Sequence, residues 1–162
     1  MKKILSIVLA ALCAVSCGVL NEKTDPETAA GIEKAVKAHE LTIDITQIFP
    51  SQGSMVHTAN EYTFKLQNGR ADTHLPFIGE SHGGSAYGTS DAGINIKDCP
   101  VKITEDFSKA SSGEYSLSFI AKSGEDDVRV RITVWTNGRA SITCLPASRT
   151  QMSYSGDVVL SK

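Results

Sequence analysis

Two Asn-Gly dipeptides, at 68–69 and 137–138, constrain this chain more than any other feature, because each lies between runs in which apolar and polar residues alternate with a period of two. Asn-Gly suits the positive φ angles of a tight hairpin turn. The side chains of a strand point alternately to its two faces, so a slip of one residue would send a buried set to solvent. A two-residue loop at Asn68-Gly69 sets Leu66 against Ala71, Phe64 against Thr73 and Tyr62 against Leu75, and it puts Lys65 opposite Asp72 on the polar side. The same loop length at Asn137-Gly138 would set Val134 against Ser141 and Ile132 against Thr143, mixing the faces. A three-residue loop, Thr136-Asn137-Gly138 with Gly138 left-handed in a bulge, instead pairs Val134 with Ala140, Ile132 with Ile142 and Val130 with Cys144. The two identical dipeptides therefore predict different turns.

The remaining alternation predicts further strands. Leu41, Ile43 and Ile45 form one, ended by a turn at Phe49-Pro50-Ser51-Gln52-Gly53. Ile94-Asn95-Ile96 and Val101-Lys102-Ile103 form two short ones split by Asp98-Cys99-Pro100. Tyr115, Leu117, Phe119 and Ala121 mark a longer strand that turns at 123–126 into Val128–Val134, and residues 151–160 supply a last one with a kink or bulge at Gly156. Before them, Asp25-Pro26-Glu27 has the chemistry of a helix start, with a capping carboxylate, proline in the first turn and acid at the positive end of the dipole. Ala29, Ile32, Ala35 and Val36 give that helix one narrow apolar face as far as about His39. The expected fold is mainly β: an antiparallel sandwich or open barrel of eight or nine strands with one N-terminal helix packed on it, the alternative being α+β.

The first sixteen residues do not belong to that domain. Lys2 and Lys3 precede an apolar run, Ile4 to Val15, that has the length of an export signal and is too short to span a bilayer. Ser16-Cys17 closes the run as a lipobox does, which predicts a diacylglycerol on Cys17 and a tether over 17–25 ahead of a single domain over 26–162. Ala14-Val15-Ser16 also reads as an ordinary cleavage site, which would leave a soluble periplasmic protein. Loss of Lys2 and Lys3 takes the basic residues from 16 to 14 against 18 acidic ones, near −4, and so excludes a general nucleic-acid binder. Membrane contact is then expected through the lipid alone.

Beyond the leader and Cys17 the cysteines are Cys99 and Cys144. An exported protein can form a disulfide between them, worth about 4 kcal/mol by chain entropy. Cys144 falls on the inferred buried face, so a buried free thiol is the competing reading.

Leu75-Pro76-Phe77-Ile78-Gly79, Ala86-Tyr87-Gly88 and Gly93-Ile94, followed by Asn137-Gly138-Arg139-Ala140 and Met152-Ser153-Tyr154-Ser155-Gly156, resemble the DUF4251 family, small lipoprotein-like proteins of Bacteroidota envelopes. The resemblance runs from the helix onward, and it implies an envelope address and a fold without implying a reaction. Gly18-Val19-Leu20-Asn21 lacks the acidic run that in that phylum follows a surface-exported lipidated cysteine, so a periplasm-facing anchor is expected.

Catalytic signals are thin. Gly79-Glu80-Ser81-His82-Gly83 matches the G-x-S-x-G nucleophile elbow in letters, but the glycine-rich residues after it cannot readily make the required helix, and no histidine follows His82. His39, His57, His74 and His82 lack metal-ligand spacing, and no cofactor fingerprint is present, so neither metal nor cofactor is expected. Two segments remain as candidate contact sites. One is the glycine-dense loop 76–89, with Pro76, Phe77, Gly79, Glu80, His82 and Tyr87, whose glycines serve backbone geometry first. The other is the strand face bearing Arg129, Arg131 and Trp135, a composition that interfaces favour, with Asp126 and Asp127 as its default charge balance. The expected function is a non-enzymatic, lipid-anchored binding domain for an unidentified protein or small ligand. An envelope hydrolase or transferase using His74, Glu80, His82 and Asp91 is the alternative, and a structural envelope protein the third.

Overall fold

A computed structural model describes residues 24–79 and 93–160 of the 162-residue chain. Helix α1 (Pro26–Lys37) opens at Asp25, whose carboxylate accepts the Glu27 N–H at 3.4 Å. It closes in a Schellman motif: the Glu40 N–H donates to the Ala35 carbonyl at 2.9 Å and the His39 N–H to that of Val36 at 3.0 Å. His39 takes the left-handed position usually given to glycine, at φ 55°.

Nine strands follow: β1 (Leu41–Pro50), β2 (Val56–Gln67), β3 (Arg70–Leu75), β4 (Ile94–Pro100), β5 (Thr104–Asp106), β6 (Glu114–Ser123), β7 (Asp126–Trp135), β8 (Arg139–Pro146) and β9 (Met152–Val158). They form one antiparallel sheet in the order β4-β3-β2-β1-β9-β8-β7-β6-β5, two meanders joined where β1 pairs with β9. The sheet curls until β4 at one end reaches β6, beside the short edge strand β5. The Asn95 N–H of β4 donates to Ser123 Oγ of β6 at 2.9 Å, and the Lys122 N–H of β6 reaches Cys99 Sγ of β4 at 3.5 Å. An open barrel results, with its core inside the curl. Ile43, Phe64, Leu117, Ile132, Ile142 and Tyr154 are enclosed there together with Ile32 and Val36 of α1, which buries its narrow apolar stripe in the concave side.

Both hairpins have the expected registers. Phe64 pairs with Thr73 and Leu66 with Ala71 around Asn68 (φ 52°) and Gly69 (φ 69°), a type I′ turn. Val134 pairs with Ala140, Ile132 with Ile142 and Val130 with Cys144, while Gly138 sits at φ 87° and donates its N–H to the Trp135 carbonyl at 2.9 Å. The bulge expected in the last strand lies opposite it: Gly156 faces the irregularity, but the extra residue, Thr46, is on the neighbouring strand β1 and β9 itself runs in regular register. A Cβ at Gly156 would stand 2.0 Å from the Asp44 carbonyl oxygen, so the strands meet there only because no side chain intervenes. On the other side of β1 the same bulge frees the Ile45 carbonyl, which accepts from Thr58 Oγ1 at 2.6 Å.

Three boundaries differ from the sequence reading. Strand β1 passes through the Thr46 bulge and continues to Pro50, so Phe49-Pro50 belongs to the strand and the turn begins at Ser51. Asp98-Cys99-Pro100 does not split two strands. Asp98 adopts φ 40° in a bulge that lets β4 run on to Pro100, where Arg70 grips both its carboxylate (Nε to Oδ1, 2.5 Å) and its carbonyl. Val101-Lys102-Ile103 is a connection rather than a strand; its Val101 and Ile103 pack on the core, and the strand that follows, Thr104–Asp106, has no buried residue.

Candidate functional site

The two segments singled out in the sequence have different fates. Of the glycine-dense loop, Pro76 to Gly79 are described, and they dock on the protein. The Tyr154 hydroxyl, on a fully buried ring, donates to the Pro76 carbonyl at 2.8 Å. The guanidinium of Arg149 lies 4.8 Å over the Phe77 ring, and Arg149 also approaches the Gly93 carbonyl at 3.5 Å and Asp126 at 4.0 Å. Gly79 presses on Thr150 so closely that a Cβ would stand 2.4 Å from its hydroxyl. Phe77 and Gly79 therefore serve packing. Glu80, Ser81, His82, Tyr87 and Asp91, like the leader and Cys17, lie outside the described residues.

Of the catalytic alternative, His74 is described. Its ring nitrogen bonds the Asn95 side chain across the β3–β4 ladder, and its ring stands 6.5 Å from that of Tyr62. His39 pairs with Glu105 at 2.7 Å, tying the end of α1 to the edge strand β5. Among the described residues no three histidine, cysteine or acidic side chains gather closely enough to hold a metal ion. Of the two readings of Cys99 and Cys144, the free thiols are found and the bridge is not. Cys144 is sealed inside the core with Val130 and Met152 beside it in the sheet, and burial pushes its thiol up to about 12, whereas Cys99 is half-buried on β4 at the seam with β6.

The outer face of β7 matches the sequence reading in direction. Arg129 and Arg131 are exposed and Trp135 is half-buried, alternating with the enclosed Val128, Val130, Ile132 and Val134. The charge balance differs. Asp127 pairs with Lys122 at 2.7 Å, and Asp126 takes the Ser148 hydroxyl at 2.7 Å and faces Arg149, so neither neutralises the two arginines. Both point instead into a shallow groove of about 390 Å³ shared with Lys102, Thr104, Ser118 and Ile120. Asp106 lies near Arg131; its carboxyl is held below the usual range chiefly by Ser108 and in part by that guanidinium. Trp135 lines a separate groove of about 440 Å³ with Gln47, Phe49, Arg139, Ser155 and Asp157.

Between the grooves runs a feature the sequence reading missed. Strand pairing aligns Ser118, Arg131, Thr143 and Ser153 in one row across β6, β7, β8 and β9, and Ser116, Thr133, Ser141 and Ser155 in the next. Apart from the exposed Arg131, these residues are half-buried on the face away from the core. Their signal was present as S-x-S at 116–118, S-x-T at 141–143 and S-x-S at 153–155, the polar halves of alternations read only for their apolar members.

The comparisons agree with this architecture. The family model described as "Domain of unknown function (DUF4251)" matches residues 23–158. Among solved structures, the chain is similar to a DUF4251 family protein from Bacteroides eggerthii DSM 20697, with a TM-score of 0.55 and 15% identity over 84% of this chain and 89% of that one, a likeness of fold. No curated protein matches the chain. With a family model covering nearly all the described residues, and with the Pro76–Tyr154 contact joining two of the motifs that carried the resemblance, the chain belongs to the DUF4251 family.

Proposed function

We propose that the chain is an exported, lipid-anchored, non-catalytic binding domain that presents the outer face of β5 to β9 to an anionic partner. The observation that carries this reading is the cluster of Lys102, Arg129 and Arg131 on a protein of net negative charge. None of the three has a carboxylate within ion-pair distance among the described residues, and they are flanked by the exposed Ile120 (58%) and Leu145 (39%). Surface cations outside any ion pair on an acidic protein raise the local concentration of anions and give specificity as well as speed of encounter. The docked part of the glycine-dense loop has its polar backbone and its aromatic ring already engaged, which leaves the sheet face as the better contact surface. Cys17 at the end of the leader supports the anchor.

Two experiments test this. Metabolic labelling with a palmitate analogue should mark the wild-type chain and leave Cys17→Ser unlabelled; labelling of both would remove the anchor. Detergent-solubilised envelope passed over immobilised protein should yield a retained component that elutes with salt and is lost with Arg129→Ala/Arg131→Ala. Equal retention by that variant would remove the face.

A further inference from the structure

Resting on that reading of the face, we infer that its ligand is an acidic polysaccharide, a chain of sugar rings bearing carboxylates, laid across the strands along the two hydroxyl rows. The rows are continuous. On β5 they begin at Thr104 and Asp106, and on β1 they end at Phe49 and Gln47, since Ser153 pairs with Phe49 and Ser155 with Gln47. Six strands at about 4.8 Å spacing give a track of roughly 24 Å, room for several sugar rings.

The chemistry of the track suits a polyol. Each serine or threonine hydroxyl offers one donor and two acceptor sites, and within the protein little of that capacity is used. Ser116 meets Thr133 at 3.3 Å, Thr143 meets Ser153 at 3.5 Å, Ser155 donates to Gln47 at 3.0 Å and Ser118 reaches the Thr104 carbonyl at 3.5 Å. Short side chains on a rigid ladder lose little rotamer freedom when a ligand binds, unlike the lysines and glutamates that commonly coat an outer sheet face. Arg131 stands within one row as a fork for a carboxylate, with Arg129 and Lys102 beside it. Trp135, two residues from Thr133 on β7, and Phe49, at the β1 end, line the second groove and offer apolar surface to a ring face.

A protein partner fits less well. Protein interfaces concentrate their energy in an apolar, aromatic centre with a polar rim, and here the order is reversed: hydroxyls and arginine hold the centre, while Ile120 and Leu145, on either side of Arg129, form a row along one margin and Phe49 closes one row on β1. An added peptide strand would need an open sheet edge, and this is a face.

The test uses the full chain, expressed with its own leader and purified from the envelope in mild detergent, in affinity gels containing polygalacturonate, neutral dextran or poly-L-glutamate. Polygalacturonate should retard the protein, with dextran and poly-L-glutamate having much smaller effects. Thr133→Val/Thr143→Val keeps side-chain shape and strand preference while removing two hydroxyls. It should weaken polygalacturonate binding roughly tenfold and leave the slight poly-L-glutamate retardation unchanged, with unfolding curves confirming an intact fold. Arg131→Ala should weaken both. Equal retardation by poly-L-glutamate, or polygalacturonate binding indifferent to the valine pair, would overturn the polysaccharide assignment. If polygalacturonate never binds while Arg129→Ala/Arg131→Ala still abolishes capture of an envelope component, the polysaccharide inference fails and the binding face stands; if neither responds, both fail.

Discussion

Substituting Gly156 by alanine places one methyl group at the seam of the sheet, and the outcome follows from what surrounds it. The new Cβ would lie 2.0 Å from the Asp44 carbonyl oxygen, 2.8 Å from its carbon and 3.0 Å from Ile45 Cα, all main chain of β1. No side chain can rotate away, so β1 and β9 must part by about 1.4 Å to bring the closest contact from 2.0 to an ordinary 3.4 Å. That separation breaks about two ladder hydrogen bonds at ~1 kcal/mol each and adds overpacking strain of about 1–3 kcal/mol. A loss of about 3–5 kcal/mol is expected, read in urea as a lower midpoint and on heating as a fall in Tm of about 10–15 °C. Gly124→Ala is the matched control. Its φ is 63° but nothing lies within 4 Å of the added Cβ, so only the left-handed penalty of about 1–2 kcal/mol applies. If Gly156→Ala loses no more than Gly124→Ala, at an unchanged m value, the close approach of β1 and β9 is not as described.

Other outcomes follow from single contacts. Tyr154→Phe removes the hydrogen bond to the Pro76 carbonyl and should cost about 1–2 kcal/mol in urea unfolding; a neutral result would mean that water serves that carbonyl equally well. The Cys144 thiol, raised by burial from 9.0 to about 12, stays protonated in the fold while the unfolded chain ionises. Its contribution is complete below pH 9 and declines as pH rises towards 12, by up to about 1.4 kcal/mol per pH unit. Between pH 9 and 10 the urea midpoint of the wild type should therefore fall more steeply than that of Cys144→Ala. Gly31→Ala meets only the end of the Leu160 side chain, at 2.9 Å, and gains up to ~1 kcal/mol of helix propensity, so thermal unfolding should show it neutral or slightly stabilised.

What was legible in the chain was whatever one face of a strand must satisfy by itself. The hairpins at Asn68-Gly69 and Asn137-Gly138 could be registered because their apolar residues have to share a side, and the turn chemistry decides the loop length. Strand β5 was invisible for the complementary reason. Thr104, Glu105 and Asp106 are all exposed, and the strand exists because β6 offers it a ladder, not because it buries anything. The continuation of β4 to Pro100 depends on Arg70 holding Asp98 from 28 residues away, which no local pattern encodes. For the site, the arginines of β7 could be placed on the outer face from alternation alone, but their distance from Asp126 and Asp127 and the alignment of serines from three other strands are properties of the assembled sheet.

The seam between β1 and β9 carries a further consequence, for how the chain reaches its fold. Every other pairing in the order β4-β3-β2-β1 and β9-β8-β7-β6-β5 joins neighbours in sequence, whereas Ile43 meets Val158 and Pro50 meets Met152 from opposite ends of the domain. Most of each meander can form from short-range hairpins on the microsecond scale, whereas the closing pair must await the longest loop closure in the sheet. That pair should set the folding rate, and cleavage within the connection 101–103 should yield two fragments, each a near-complete meander, that recover the barrel when mixed.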